Sequence, residues 1–114
     1  MESQSRELLI YETDGNEAPF SSWLDTLRDR EARARIRKRL DRVALGNFGD
    51  CKSVGEGVFE LRIDCGPGYR VYFAQAEMLI ILLLCGGDKS SQDQDIIDAK
   101  QFWADYKQRE NANE

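Results

Sequence analysis

Residues 58–89 read VFELRIDCGPGYRVYFAQAEMLIILLLCGGDK, and the division of this stretch into strands decides the fold. Val58–Asp64 alternates Phe59, Leu61 and Ile63 with Glu60, Arg62 and Asp64, the spacing of a strand with one buried face. Gly66-Pro67-Gly68 breaks the run, proline fixing φ and glycine admitting positive φ, which is the chemistry of a hairpin connection. A return strand over Tyr69–Gln75 puts Tyr69, Val71 and Phe73 on one face and Arg70 and Tyr72 on the other. Met78–Cys85 is a nearly unbroken apolar run, short enough for a strand covered on both faces. The stretch predicts an antiparallel meander with its third strand central. Three cations hold defined places in it: Arg62 within the first strand, Arg70 at the start of the second, and Lys89 just after Gly86-Gly87-Asp88.

Upstream, Leu8-Leu9-Ile10-Tyr11 is a short β-prone run ended by Asp14-Gly15-Asn16, a first strand expected to join the same sheet. Pro19 suits the first turn of a helix. Phe20, Trp23, Leu24 and Leu27 follow at i, i+3, i+4 and i+7, a complete apolar stripe that places Trp23 in the core. From Asp29 to Leu45 a second helix keeps Ala32, Ile36, Leu40, Val43 and Ala44 on one face, with Gly46 as its stop. The two helices adjoin almost without a loop, which predicts an αα-hairpin lying on the sheet. Asn47–Gly57 is a turn-rich connector with an extended piece around Lys52 and Val54. Downstream, Ser90 and Asp93 have capping-box spacing at the start of a last helix. That helix carries Ile96, Ile97, Ala99, Lys100, Trp103 and Tyr106 and is expected to fray in QRENANE. The expected fold is α+β, a mostly antiparallel sheet of about four strands with an N-terminal αα-hairpin and a C-terminal helix. One domain is expected over residues 1–114, its core at about 6–106.

Composition narrows the chemistry. No segment approaches the ~18 apolar residues of a membrane span, and MESQSRELLIYE lacks the basic and apolar regions of a signal peptide. Cys51, Cys65 and Cys85 form no C-x-x-C pair, and there is no histidine, so zinc sites, disulfide frameworks and His-based catalysis are poor fits. Free thiols without an export signal predict a reducing cytoplasm. The net charge of −5 conceals a partition: residues 28–47 hold eight Lys/Arg against three acids, while every other part of the chain is net acidic. Arg28, Arg30, Arg33, Arg35, Arg37, Lys38, Arg39 and Arg42 surround the apolar face of the second helix. Two readings of that run stand side by side: a solvated helix face, or contact with RNA phosphates or an acidic partner.

With no metal-ligand cluster and no Gly-rich phosphate loop, the remaining chemistry rests on Arg, Lys, Tyr and carboxylates. RNA cleavage by the neighbouring 2′-hydroxyl is compatible with that set. It needs removal of the hydroxyl proton, cations for the charge building on phosphorus, and a donor for the leaving 5′-oxygen. Arginine presents several donors in a fixed fork. Arg70 follows a turn that fixes its direction, and Lys89 lies at a helix N-terminus, where backbone N–H groups favour anions. Arg62 shares the face of Glu60 and equally reads as its cross-strand ion-pair partner.

ARARIRKRL, LGNFGD, VGEGVFELRI, GPGYRVYF and LLLCGGDKSSQDQDI, in this order of elements, resemble the RelE/ParE toxin superfamily, most specifically its HigB-like, phage-derived addiction module killer proteins. The resemblance runs from about Phe20 to Ala99. It implies the toxin of a type II toxin–antitoxin system, neutralised by a helix-turn-helix antitoxin and reaching DNA only through that complex. It also implies an mRNA interferase, an endoribonuclease that cleaves mRNA on the ribosome without metal or other cofactor. By position, Arg70, Lys89 and Arg62 match the catalytic cations, and Lys52, Arg70 and Tyr72 the RNA- and phosphate-binding positions. Arg33, Arg35, Arg37 and Arg39 fall on the helix expected to meet the antitoxin or the ribosome.

Two departures keep alternatives open. Ser90 and Ser91 stand near where several such nucleases carry a terminal Tyr or His, and the chain is acidic where ribosome-binding toxins are basic. A ParE-like inhibitor that binds gyrase, or an inactive member that only binds its antitoxin, fits the same fold.

Overall fold

The computed structural model describes residues 5–113. The chain runs β1 (Glu7–Ile10), α1 (Pro19–Thr26), α2 (Arg30–Ala44), β2 (Cys51–Gly55), β3 (Val58–Ile63), β4 (Tyr69–Glu77), β5 (Ile80–Gly87), a 3-10 turn (Lys89–Ser91) and α3 (Gln92–Ala112). The sheet has five strands in the order β1-β5-β4-β3-β2, one more than the sequence suggested. The additional strand is β2, whose residues CKSVG show little apolar patterning, and which pairs β3 in an irregular register between Ser53 and Gly55. All neighbours are antiparallel except β1, which lies parallel to β5. The third meander strand is therefore interior, while the middle of the sheet is β4. Its start also differs: Met78 and Leu79 form the β4–β5 turn, with Met78 78% exposed, because the apolar run continues through the turn without a polar break.

The sheet is covered on both sides, and strand alternation assigns each side its core. Leu61, Ile63, Val71, Phe73, Ile81 and Leu83 pack against Phe20 and Leu24 of α1 and Ala32, Ile36, Leu40 and Val43 of α2. Val58, Tyr72, Ala74, Leu82 and Leu84 pack on the other side against Ala99, with Phe102, Trp103 and Tyr106 of α3 at the margin. Trp23 is half-buried at the edge of the first core, not within it. Asp29 caps α2 by accepting from Glu31 N and Ala32 N at 2.9 and 3.2 Å. The capping box before α3 is Asp88 with Ser91, around the 3-10 turn, instead of Ser90 with Asp93. Nor does α3 fray in QRENANE; it continues to Ala112, tied to β1 and the segment after it. Tyr11 Oη donates to Asp105 at 2.6 Å, and Arg109 donates both to Asp105 and to the Glu12 carbonyl. Burial first, then the Asp105 carboxylate, pushes the Tyr11 phenol up to about 12.

Gly86-Gly87 closes β5 as a notch in which both helical layers meet the sheet. A Cβ on Gly86 would run into the Trp23 ring, and one on Gly87 into Asp95 and Ser91. Gly86→Ala should lower stability by about 1–3 kcal/mol through overpacking, read as a smaller urea midpoint with an unchanged m-value.

Candidate functional site

The β3–β4 register sets Arg62 directly opposite Arg70, and Glu60 opposite Tyr72, on the face turned toward α3. The β2–β3 register sets Lys52 opposite Glu60. Two like charges facing each other across a strand pair repel, and Glu60 is what holds them. Its side chain is fully buried. Arg62 Nε donates to Oε1 at 3.0 Å, and Lys52 Nζ lies 3.9 Å from the same oxygen. Tyr72 Oη and Gln92 Nε2 donate to Oε2 at 3.0 and 2.8 Å, and Arg70 Nε lies 3.6 Å from it. Burial drives a carboxyl pKa upward; the hydrogen bonds from Arg62, Gln92 and Tyr72, with the Arg70 charge, outweigh it and hold Glu60 below its ordinary value. Burial and the adjacent carboxylate push the Tyr72 phenol strongly up.

The guanidiniums keep donors in reserve. Among the described residues Arg62 donates only through Nε, and its side chain is 39% exposed. Arg70, more enclosed, donates through Nη1 to the Gly68 carbonyl at 2.9 Å, while its buried Nε has no hydrogen-bond partner among the described residues. Gly68 brings Lys89 to the same place: a Cβ there would lie 3.5 Å from Arg70 Nη1 and 3.8 Å from Lys89 Cβ. Lys89 itself is exposed on the 3-10 turn. Asp50, Asp64 and Gly68 line a cleft of about 210 Å³ with Arg62 and Arg70. Through Ile63 and Asp64 that cleft meets a groove of about 400 Å³ beneath Arg35, Lys38, Arg39 and Arg42 of α2.

Of the sequence-derived candidates, Lys52, Arg62 and Arg70 thus gather around one carboxylate, with Lys89 beside Arg70. Arg62 pairs with Glu60 along its own strand at i, i+2, not across strands. Tyr72 requires a correction: it is fully buried with its hydroxyl on Glu60, so it presents no surface to RNA and supports the cluster from within. The α2 arginines divide. Arg39 is a staple, donating to the carbonyls of Phe48, Asp50 and Arg62 at 2.8, 3.1 and 3.2 Å, which removes it from the partner-facing set. Gly49, at φ +61, leaves room for its guanidinium. Arg33 donates to Leu27 O at the end of α1, and Arg35 forms an exposed ion pair with Glu31 at 3.1 Å. Arg37, Lys38 and Arg42 stay exposed. Sequence reasoning missed Glu60 as the hub and Gln92 as its helical donor.

The fold and this cluster define a single-sheet α+β protein in which Lys52, Arg62 and Arg70 gather at a buried carboxylate with Lys89 beside them. The chain belongs to the phage-derived Gp49-like protein family, whose model matches residues 22–101, from α1 into the middle of α3. An uncharacterized protein of Haemophilus influenzae is 56% identical over 81 residues, covering 71% of this chain and 82% of its own. Among the described residues no helix is long and apolar enough to cross a membrane.

A depressed carboxyl pKa contributes stability that is present above the unfolded-state value and lost as pH falls through the folded one. Glu60→Gln should therefore cost about 3 kcal/mol at neutral pH, leaving cations without their counter-charge. It should also flatten the loss of stability that wild type shows as pH drops below about 4.5, the ordinary carboxyl value. Urea titrations at a series of pH values read both effects. Arg39→Ala should cost about 2 kcal/mol, whereas Arg37→Ala should stay within about 0.5 kcal/mol of wild type; thermal melts separate the two.

Proposed function

We propose that this protein is the toxin of a type II toxin–antitoxin pair, of RelE/ParE type and HigB-like kind, and that it acts in the cytoplasm as a metal-independent mRNA interferase on the ribosome. The observation that carries the reading is the Glu60 hub, which draws Arg62, Arg70 and Lys52 together while leaving guanidinium donors toward the Asp50–Arg70 cleft. Membership of a phage-derived family supports an addiction-module origin. In the reaction the 2′-hydroxyl loses its proton to solvent water as its oxygen attacks the adjacent phosphorus, the bond to the 5′-oxygen breaks, and a 2′,3′-cyclic phosphate and a 5′-hydroxyl result. Arg62 and Arg70 stabilise the non-bridging oxygens as charge builds. Glu60, locked in ion pairs, and Tyr72, sealed from solvent, are closed to a substrate hydroxyl. Proton delivery to the leaving 5′-oxygen falls to Lys89, which makes no ion pair among the described residues. No cofactor enters the scheme.

The exposed cations of α2, Arg35, Arg37, Lys38 and Arg42, are assigned to the helix-turn-helix antitoxin or to the ribosome, and DNA is met only through the antitoxin complex. One observation favours a second reading, a ParE-like gyrase inhibitor or an inactive antitoxin-binding member. The two acids beside the cations are held well below neutrality and keep no proton to give: against its burial, hydrogen bonds from Arg62, Gln92 and Tyr72 lower Glu60, and hydrogen bonds from Ser90 hold Asp88 down. A surface inhibitor needs no proton-transfer group.

Arg70→Ala and Lys89→Ala should each relieve growth arrest on induction, with cleavage reduced by about 10²–10³-fold in primer extension on cellular mRNA. Full toxicity in both variants removes the nuclease reading, and DNA damage without cleaved mRNA replaces it with the gyrase one.

A further inference from the structure

Gln92, Lys100, Trp103 and Lys107 recur along one stripe of α3, turned toward β2 and its hairpin turn with β3. The stripe starts at the hub, where Gln92 Nε2 donates to Glu60. Trp103 lies eleven residues further on, about 16 Å along the helix. Between the stripe and the Gly55-Glu56-Gly57 turn is a depression of about 550 Å³ lined by Glu56, Gly57, Lys100, Trp103 and Lys107. The turn is shaped for close approach. All three residues have positive φ, and a Cβ on Gly55 or Gly57 would lie 3.4 Å from Lys100 Nζ or 2.9 Å from Trp103 Nε1. Trp103 is half-buried and stacks on Tyr106, with centroids 5.8 Å apart and an interplanar angle of 15°. Lys107 Nζ stands 5.2 Å over the indole, where a planar ring would otherwise lie.

We propose that this depression is a subsite for single-stranded RNA, taking a base against Trp103 and phosphates on Lys100 and Lys107. The proposal rests on the nuclease reading, which puts the scissile phosphate at Arg62 and Arg70, a few extended nucleotides away. An indole face with flanking cations is the sequence-tolerant way to hold an unpaired base. Lys107, exposed and flexible, swings from the ring to a phosphate as the base arrives. Glu56, exposed at the rim, is an acceptor for the exocyclic amine of cytosine or adenine and repels the carbonyl edge of uracil. An acidic polypeptide satisfies the two lysines but leaves the ring face uncovered, so RNA is the better occupant.

Anisotropy of labelled short homopolymers of cytidylate and uridylate tests this on the full-length protein and on variants checked by thermal melting. Trp103→Leu should weaken cytidylate binding about tenfold, and Trp103→Phe should restore most of it. Lys100→Ala with Lys107→Ala should reduce the slope of log affinity against log salt by about 1.4, the value for two single-strand phosphates. Glu56→Gln should abolish the preference for cytidylate over uridylate. Unchanged affinity and slope overturn the subsite, as do equal losses in the Leu and Phe variants, or polyglutamate displacing the RNA from wild type but not from the lysine variant. Loss of mRNA cleavage in Arg70→Ala beside unaltered groove variants removes the subsite alone. Toxicity that survives both Arg70→Ala and Lys89→Ala, with RNA binding lost in the groove variants, removes the nuclease reading and leaves the subsite standing.

Discussion

One buried carboxylate organises the polar end of this molecule. Strand register forces Arg62 and Arg70 face to face, and only a negative charge between them makes that register tolerable. Glu60 supplies it from inside the sheet, where an ion survives only if its lone pairs are occupied. Tyr72 from the neighbouring strand and Gln92 from α3 complete the shell. Because Gln92 opens α3, the seating of that helix and the geometry of the cations are a single property. Gly87 at the end of β5 serves the same end by letting Ser91 and Asp95 approach the sheet.

Most of the architecture was legible in the sequence because it rests on periodicity. The meander, the two successive N-terminal helices and the two-sided burial of β5 follow from pattern alone, although the helices pack on the sheet more than on each other. β2 escaped because a strand paired on one side, with two polar residues and a glycine among five, carries almost no pattern. The start of β5 was misplaced for the opposite reason, an exposed Met78 that looks like core to any hydropathy reading. A strand covered on both faces implies a covered face for its neighbours too, and alternation then buries Glu60. That inference was open from sequence, and it turns an apparent surface ion pair into a hub. The gathering of Lys52 and Gln92 at that hub was not open, since it depends on pairing register and on where α3 begins.

The arginine helix shows why a charge run resists a single label. Arg39 falls beside Ile36, Leu40 and Val43 on the apolar seam, and its place there accounts for its three backbone carbonyl partners. It fixes the loop before β2 and the end of β3, both of which frame the Arg62–Arg70 cleft. Arg37, Lys38 and Arg42 point away from that seam and remain exposed. The same residue type therefore frames the site from within and offers charge from without, separated by single steps along one helix.

The parallel pairing of β1 with β5 ties residues 7–10 to residues 80–83. A chain emerging in order makes β1 and both helices of the hairpin long before the strand that completes their docking surface exists. Contacts so distant in sequence are closed late and at an entropic cost. Gln92 follows β5, so the cationic end acquires its last ligand after the sheet has formed. A nascent chain that stops short of Gln92 holds its arginines without the arrangement that gathers them, and the cationic end takes its shape only once α3 has begun to form.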